Sequence, residues 1–132
     1  MIIALAQQEV AAECDRVLES LPEWFGIPDA RTSYALATSI QPTFVARNEG
    51  LLVGFISLKE HFPEAWEVHC MAVETSLRNN GIGRALLAAA ENWLASRGTK
   101  MLQVKTLAAT HPDPYYKQTR AFYERRGFIG VE

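Results

Sequence analysis

The feature that most constrains this chain is a run in its second half, residues 66–98, WEVHCMAVETSLRNNGIGRALLAAAENWLASRG. It reads as a buried strand over 66–73, a short loop carrying two glycines, and an amphipathic helix. Apolar Ile82, Leu86, Ala89 and Trp93 recur at spacings of three and four, which places them on one helical face, and that face is core. The loop is Arg78-Asn79-Asn80-Gly81-Ile82-Gly83-Arg84. Two glycines at a helix start, with Asn79 or Asn80 available as N-cap, leave backbone N–H groups uncovered and aimed along the positive end of the helix dipole. Such geometry holds a phosphate.

Several nucleotide folds share that plan, and the wording of the loop separates them. A P-loop requires a Lys-Ser/Thr pair after the glycines, and the dinucleotide fingerprint requires a third glycine; neither is present. The run is Arg-x-x-Gly-x-Gly, preceded by Met71-Ala72-Val73 at a strand end and followed by Arg84-Ala85-Leu86-Leu87. In this it resembles the acetyl-CoA loop of the GCN5-related N-acetyltransferase (GNAT) family. A second block agrees: residues 116–128, YKQTRAFYERRGF, are similar to the late family helix ending in Phe-Tyr-x-x-x-Gly-Phe. The two blocks together are far more specific than either alone.

At 132 residues and 48% hydrophobic, the chain reads as a single domain over 1–132 with one core. A net charge of −2 without a Lys/Arg-rich run gives no reason to expect nucleic acid or an anionic membrane as partner. Its apolar stretches are far shorter than the roughly 20 residues of a membrane span, and MIIALAQQEV lacks the basic start of a signal peptide. The expected location is the cytoplasm. Cys14 and Cys70 fall on a predicted helix and a predicted buried strand, without Cys-x-x-Cys spacing or paired histidines, so neither a disulfide framework nor a metal site is expected. Buried thiols of this kind act as small hydrophobes.

Around the central run, residues 1–5 are β-prone and form an expected edge strand. Val10, Cys14, Val17, Leu18 and Leu21 predict a helix over 7–20 that closes before Pro22. Residues 21–28, LPEWFGIP, form an expected loop dense in large apolar groups, and a second helix is predicted over 29–39. Strands 43–47 and 51–59 flank Asn48-Glu49-Gly50 as a hairpin, and Gly54 marks a bulge or a close backbone approach. In strand 66–73, simple alternation puts Trp66, Val68, Cys70 and Ala72 on one face and Glu67, His69, Met71 and Val73 on the other. Gly98 caps the central helix, a strand follows over 101–107, then a loop over 108–114 containing His111, and a last helix over 115–126. The order β-α-α-β-β-β-α-β-α-β is an α/β fold, with a mixed, mostly antiparallel sheet and one parallel β-α-β crossover around the cofactor helix. Family members continue past Gly-Phe through further strands, whereas this chain stops at Glu132, so the usual last strand is expected to be missing. An open sheet edge there predicts pairing with a second subunit, a homodimer.

The resemblance also implies a chemistry, transfer of an acetyl group from acetyl-CoA to a primary amine of a small molecule or peptide by direct attack. It implies that the N–H groups from Asn79 through Asn80, Gly81, Ile82 and Gly83 to Arg84 grip the pyrophosphate, with Arg78 and Arg84 adding charge, unless Arg78 is simply solvated. Backbone near Met71, Ala72 and Val73 pairs with pantetheine. Tyr123 matches the tyrosine that protonates the leaving thiolate; a phenol with pKa about 10 needs no tuning to donate at pH 7. Thr119 stands where many members carry an asparagine that helps hold the cofactor. Tyr116, two turns before Tyr123 on the same face, packs or lines the acceptor site.

For the proton the amine must lose, Glu67 matches the family glutamate; His69 and a water chain are the alternatives. Trp24 and Phe25 recognise the substrate or plug a core. Glu23, Asp29, Glu60 and Glu64 flank the expected acceptor side and would suit a cationic amine, although scattered carboxylates are ordinarily just solvated surface. The competing reading is a non-catalytic module that binds CoA or a protein partner. Intact Tyr123 and Glu67 favour the enzyme, and the missing strand favours the module.

Overall fold

The computed structural model describes residues 1–105 and 113–130. Its centre is one sheet of five strands, β1 (Ile2–Leu5), β2 (Thr43–Asn48), β3 (Leu51–Phe62), β4 (Ala65–Val73) and β5 (Met101–Val104), lying in sequence order. All neighbours are antiparallel except β4 and β5. That pair is joined by α4 (Ile82–Ser96), the expected parallel crossover. Helices α1 (Ala11–Glu19), α2 (Pro22–Phe25) and α3 (Pro28–Ala37) connect β1 to β2, and α5 (Pro114–Arg125) follows β5.

Two cores lie on opposite faces of the sheet. On one, Cys14, Val17 and Leu18 of α1 and Ala35 of α3 pack on Val45, Leu52, Phe55, Cys70 and Ala72. On the other, Ile82, Leu86, Leu87, Ala90 and Leu94 of α4 pack on Phe44, Ile56, Leu58 and Val68, joined by Tyr123 of α5. Each such large apolar side chain contributes on the order of 1.5–3 kcal/mol on burial. The stripe on α4 follows the predicted spacing at Ile82 and Leu86. Ala89 and Trp93 sit at its half-buried margin, where the Trp93 ring lies edge-on to Trp66 at 5.6 Å. Beyond α4, Gly98 adopts φ 82°, and the Thr99 N–H reaches the Leu94 carbonyl at 3.1 Å, closing the helix as a Schellman cap.

Both halves of the expectation for Gly54 hold. The β2–β3 register shifts beside it, and a Cβ there would lie 3.2 Å from the Ala72 carbonyl oxygen and 3.3 Å from Leu86. In the β2–β3 turn Glu49 as well as Gly50 has positive φ, the paired left-handed geometry of a type I′ turn.

Four expectations are corrected. Helix α1 begins at Ala11 and not near residue 7, because the Glu9 carboxylate accepts the Ala11 N–H at 2.8 Å and Val10, at φ −129° and ψ 7°, is outside the helical region. Residues 22–25 form a single helical turn with Pro22 at its start, where a missing N–H costs nothing. The β that closes the expected element order after the last helix does not form over residues 128–130, so β5 is the edge strand beside β4 among the described residues. The fourth concerns β4, whose strict alternation fails at His69. Ser57 pairs with Cys70 but Leu58 pairs with Val68, leaving His69 as the extra residue of a bulge. Trp66 and Val68 therefore face α4, while Cys70 and Ala72 face α1. The end of the strand predicted to residue 107 and the loop with His111 lie outside the described residues in whole or large part.

Candidate active site

The site begins where the pairing of β4 with β5 stops, one residue before the bulge at His69. Pairing between β4 and β5 runs only from Ala65–Met101 to Val68–Val104. Past that point the β5-facing edge of Met71, Ala72 and Val73 has no strand beside it among the described residues, while its other edge is fully paired to β3. A main-chain edge is thus left open inside a cavity of about 740 Å³, a size that suits a bound small molecule.

At one end of this cavity lies the glycine loop. Gly81, with φ 81°, is the N-cap of α4, and the first helical bond is Ala85 N–H to the Gly81 carbonyl at 3.0 Å. Asparagine was the expected cap. No side chain caps α4 in the structure, and Asn79 instead takes a left-handed turn at φ 67°. The amides at the start of α4 are consequently free of any side-chain cap, as anion binding requires. Arg78, Asn79, Gly81, Ile82, Gly83 and Arg84 all line the cavity; Asn80 does not. Gly83 is pressed toward α5, for a Cβ there would touch the Phe122 ring at 3.5 Å. Arg125 and Arg126 add two further cations to the lining. The Arg126 guanidinium lies over Phe122 at 4.3 Å and donates to its carbonyl. Sequence reading missed both arginines, since nothing in the Phe-Tyr-x-x-x-Gly-Phe pattern marks its variable positions.

The other end is aromatic. Trp24 and Phe25 of α2, Tyr34 of α3, His69 of β4 and Tyr116 of α5 line it. Phe25 meets Tyr34 with ring centres 5.8 Å apart, and Tyr34 meets His69 at 5.3 Å. The Trp24 indole N–H donates to the Thr119 hydroxyl at 3.2 Å and to the Tyr115 carbonyl at 3.3 Å, tying α2 to α5. Arg78 lies over the Trp24 ring at 4.3 Å, so it is not a free solvated cation but a link between the two ends. Tyr34 was a mid-helix residue with no signal of its own in the sequence. Glu23, Asp29, Glu60 and Glu64 are exposed and do not line the cavity, which removes them from the acceptor side.

Tyr123 lies between the ends, lining the cavity and only 6% exposed, packed edge-on against Phe122 and Phe128. Burial pushes its phenol well above the ordinary tyrosine range, so it holds its proton at any physiological pH. His69 lines the cavity with Nδ1 3.0 Å from the Gln41 amide oxygen. With that oxygen as acceptor Nδ1 carries the proton and Nε2 is the basic nitrogen. Desolvation lowers the His69 pKa from its ordinary 6.5, opposed by Glu67 and aided by Lys59 and Lys105.

Glu67 does not line the cavity. It is 5% exposed and held by His61, Nε2 to Oε1 2.7 Å, with Lys105 Nζ 3.8 Å away. The sequence ends this strand at residue 59, yet β3 extends through Phe62 and carries His61 across to Glu67. Cys14 and Cys70 are buried free thiols, and burial holds the Cys14 pKa up to about 12.

The sequence from residue 39 to 129 matches the family model described as an acetyltransferase (GNAT) domain. The chain belongs to the GNAT acetyltransferase family. Solved structures agree on the GNAT fold. A GNAT-family protein from Desulfovibrio desulfuricans superposes with a TM-score of 0.82 at 21% identity, over 99% of this chain and 87% of the other. An aminoglycoside 6'-N-acetyltransferase complexed with coenzyme A gives 0.77 at 25% identity, over 100% and 88%. A ribosomal-protein-alanine N-acetyltransferase from Brucella melitensis gives 0.71 at 22%, over 99% and 93%. A comparison with the curated proteins finds no match. No helix among the described residues is long and apolar enough to cross a membrane.

Proposed function

We propose that this GNAT domain transfers acetyl from acetyl-CoA to a primary amine of a small molecule or peptide by direct attack. The observation that supports the reading is the β5-facing edge of Met71–Val73, which has no strand beside it among the described residues and lines one cavity with an uncapped helix start and a buried tyrosine. Acetyl-CoA supplies the thioester that the amine attacks and the thiolate that leaves. The amides of Asn79, Gly81, Ile82, Gly83 and Arg84 and the guanidinium groups of Arg78 and Arg84 take the pyrophosphate. The open edge of Met71, Ala72 and Val73 offers main-chain donors and acceptors to pantetheine, and the Thr119 hydroxyl holds the Trp24 indole N–H.

Tyr123 donates the proton to the thiolate; its raised pKa keeps that proton available. We assign removal of the amine proton to His69, directly or through water, because it lines the cavity and burial keeps it neutral at pH 7. Glu67, one step back, stabilises the imidazolium that forms. Trp24, Phe25 and Tyr116 hold the acceptor. We further read the open β5 edge as a dimer contact, checked by sedimentation at tens of micromolar, and the free buried thiols as fitting a reducing compartment such as the cytoplasm.

The test is release of free thiol from acetyl-CoA with both substrates varied. Direct attack predicts intersecting initial-rate lines. Parallel lines would point to an acetyl-enzyme and sink the mechanism, and tight CoA binding with no thiol release for any amine would replace the enzyme by a binding module.

A further inference from the structure

Resting on the transferase reading, we infer that the acceptor is a primary amine carried on a flat, apolar, ring-bearing body with a single positive charge, and not a polycation. Three observations converge on this class. First, the acceptor end is lined by five rings, Trp24, Phe25, Tyr34, His69 and Tyr116, drawn from four separate elements. Phe25, Tyr34 and His69 run as a continuous wall through ring contacts of 5.8 and 5.3 Å. The indole N–H of Trp24 is already spent on Thr119 and the Tyr115 carbonyl, so what remains of that residue for a ligand is the part of its ring that Arg78 and Tyr115 leave uncovered.

Second, no aspartate or glutamate among the described residues lines the cavity. Outside the described residues only Glu132 carries a carboxylate, for 106–112 read TLAATHP. The nearest acid, Glu67, is buried behind the lining and engaged by His61 and Lys105. Third, the cations that line the cavity are Arg78, Arg84, Lys105, Arg125 and Arg126, with Arg78 seated on Trp24. A ligand with several ammonium groups would have to desolvate each without a carboxylate to receive it, and with Arg78 already seated on Trp24. One amine, deprotonated before attack, escapes that cost, and its ring body gains from the aromatic wall.

The experiment is acetyl-CoA titration in a calorimeter followed by thiol-release kinetics with 2-phenylethylamine and tryptamine against spermidine and kanamycin. The expected kcat/KM for the aromatic amines exceeds that for the polycations by about 30-fold or more, in line with what a few ring contacts and unpaired charges discriminate. Phe25→Leu, which keeps volume but removes the ring, should raise the KM for 2-phenylethylamine about 5-fold. The same variant should leave the KM for acetyl-CoA unchanged. Acetyl-CoA binding with equal or better turnover of spermidine or kanamycin, or with no preference for the aromatic amines, overturns this inference alone. No acetyl-CoA binding and no thiol release overturns the transferase reading and this inference with it.

Discussion

At the loop end of the cavity the groups facing a ligand are backbone amides and guanidinium groups; at the acceptor end they are ring faces and one imidazole. The loop end comes chiefly from one stretch, residues 78–84, in which Gly81 at positive φ starts a helix with no side-chain cap, with Arg125 and Arg126 added from the end of the last helix. The acceptor end is assembled from α2, α3, β4 and α5, residues up to 92 positions apart, counting from Trp24 to Tyr116. A local backbone device tolerates little change and accepts one kind of ligand, phosphate. A surface gathered from distant side chains can be rebuilt residue by residue, and specificity resides there.

That contrast can be pressed from the chemistry outward. Tyr123→Phe keeps the packing against Phe122 and Phe128 but removes the proton donor, so kcat should fall roughly 10- to 1000-fold while acetyl-CoA affinity holds. His69→Gln should lower kcat/KM about 100-fold at pH 7 and abolish the acid limb of the pH profile. In the unaltered protein that limb lies below pH 6.5, because the lowered pKa of His69 leaves it neutral above that value and protonation on the way down removes the base. The same shift means the unfolded chain binds the extra proton first. Stability attributable to His69 is therefore complete above 6.5 and declines as pH falls through the lower folded value.

Gly81→Val forces a β-branched residue into the left-handed region at a cost of about 1–2 kcal/mol. It should weaken acetyl-CoA binding about 10-fold by calorimetry and leave the amine KM alone. Trp24→Ala is the reciprocal change, expected to raise the amine KM about 10-fold. Because Arg78 rests on Trp24, it should also move acetyl-CoA affinity by about 2- to 5-fold, the value of an exposed cation–π contact. If Trp24→Ala and Gly81→Val gave the same pattern, the two ends would not be separable. Asn80→Ser should change either constant by less than about 2-fold, since Asn80 does not line the cavity.

The asymmetry also accounts for what was legible in the sequence. The loop and the tyrosine helix lie within contiguous motifs that carry the family resemblance, and Met71, Ala72, Val73, Gly83 and Tyr123 all line the cavity. The bulge at His69 was not legible, because WEVHCMAV reads as clean alternation and the extra residue is set by register against β3. It exchanged the faces of Cys70 and Ala72. It also separated His69, which lines the cavity, from Glu67, which lies behind it. The N-cap expectation failed for a related reason, since asparagine favours both a cap and a left-handed turn, and Asn79 takes the turn. His61, Tyr34 and Arg126 join the site or its surroundings only through tertiary packing.

The most direct measurement is a calorimetric titration of the purified chain with acetyl-CoA, repeated with Gly81→Val. The account predicts binding in the micromolar range to the unaltered chain, weakened about 10-fold by the substitution. Absence of binding to the unaltered chain, or equal binding by both proteins, would contradict the claim that the uncapped start of α4 holds the phosphates.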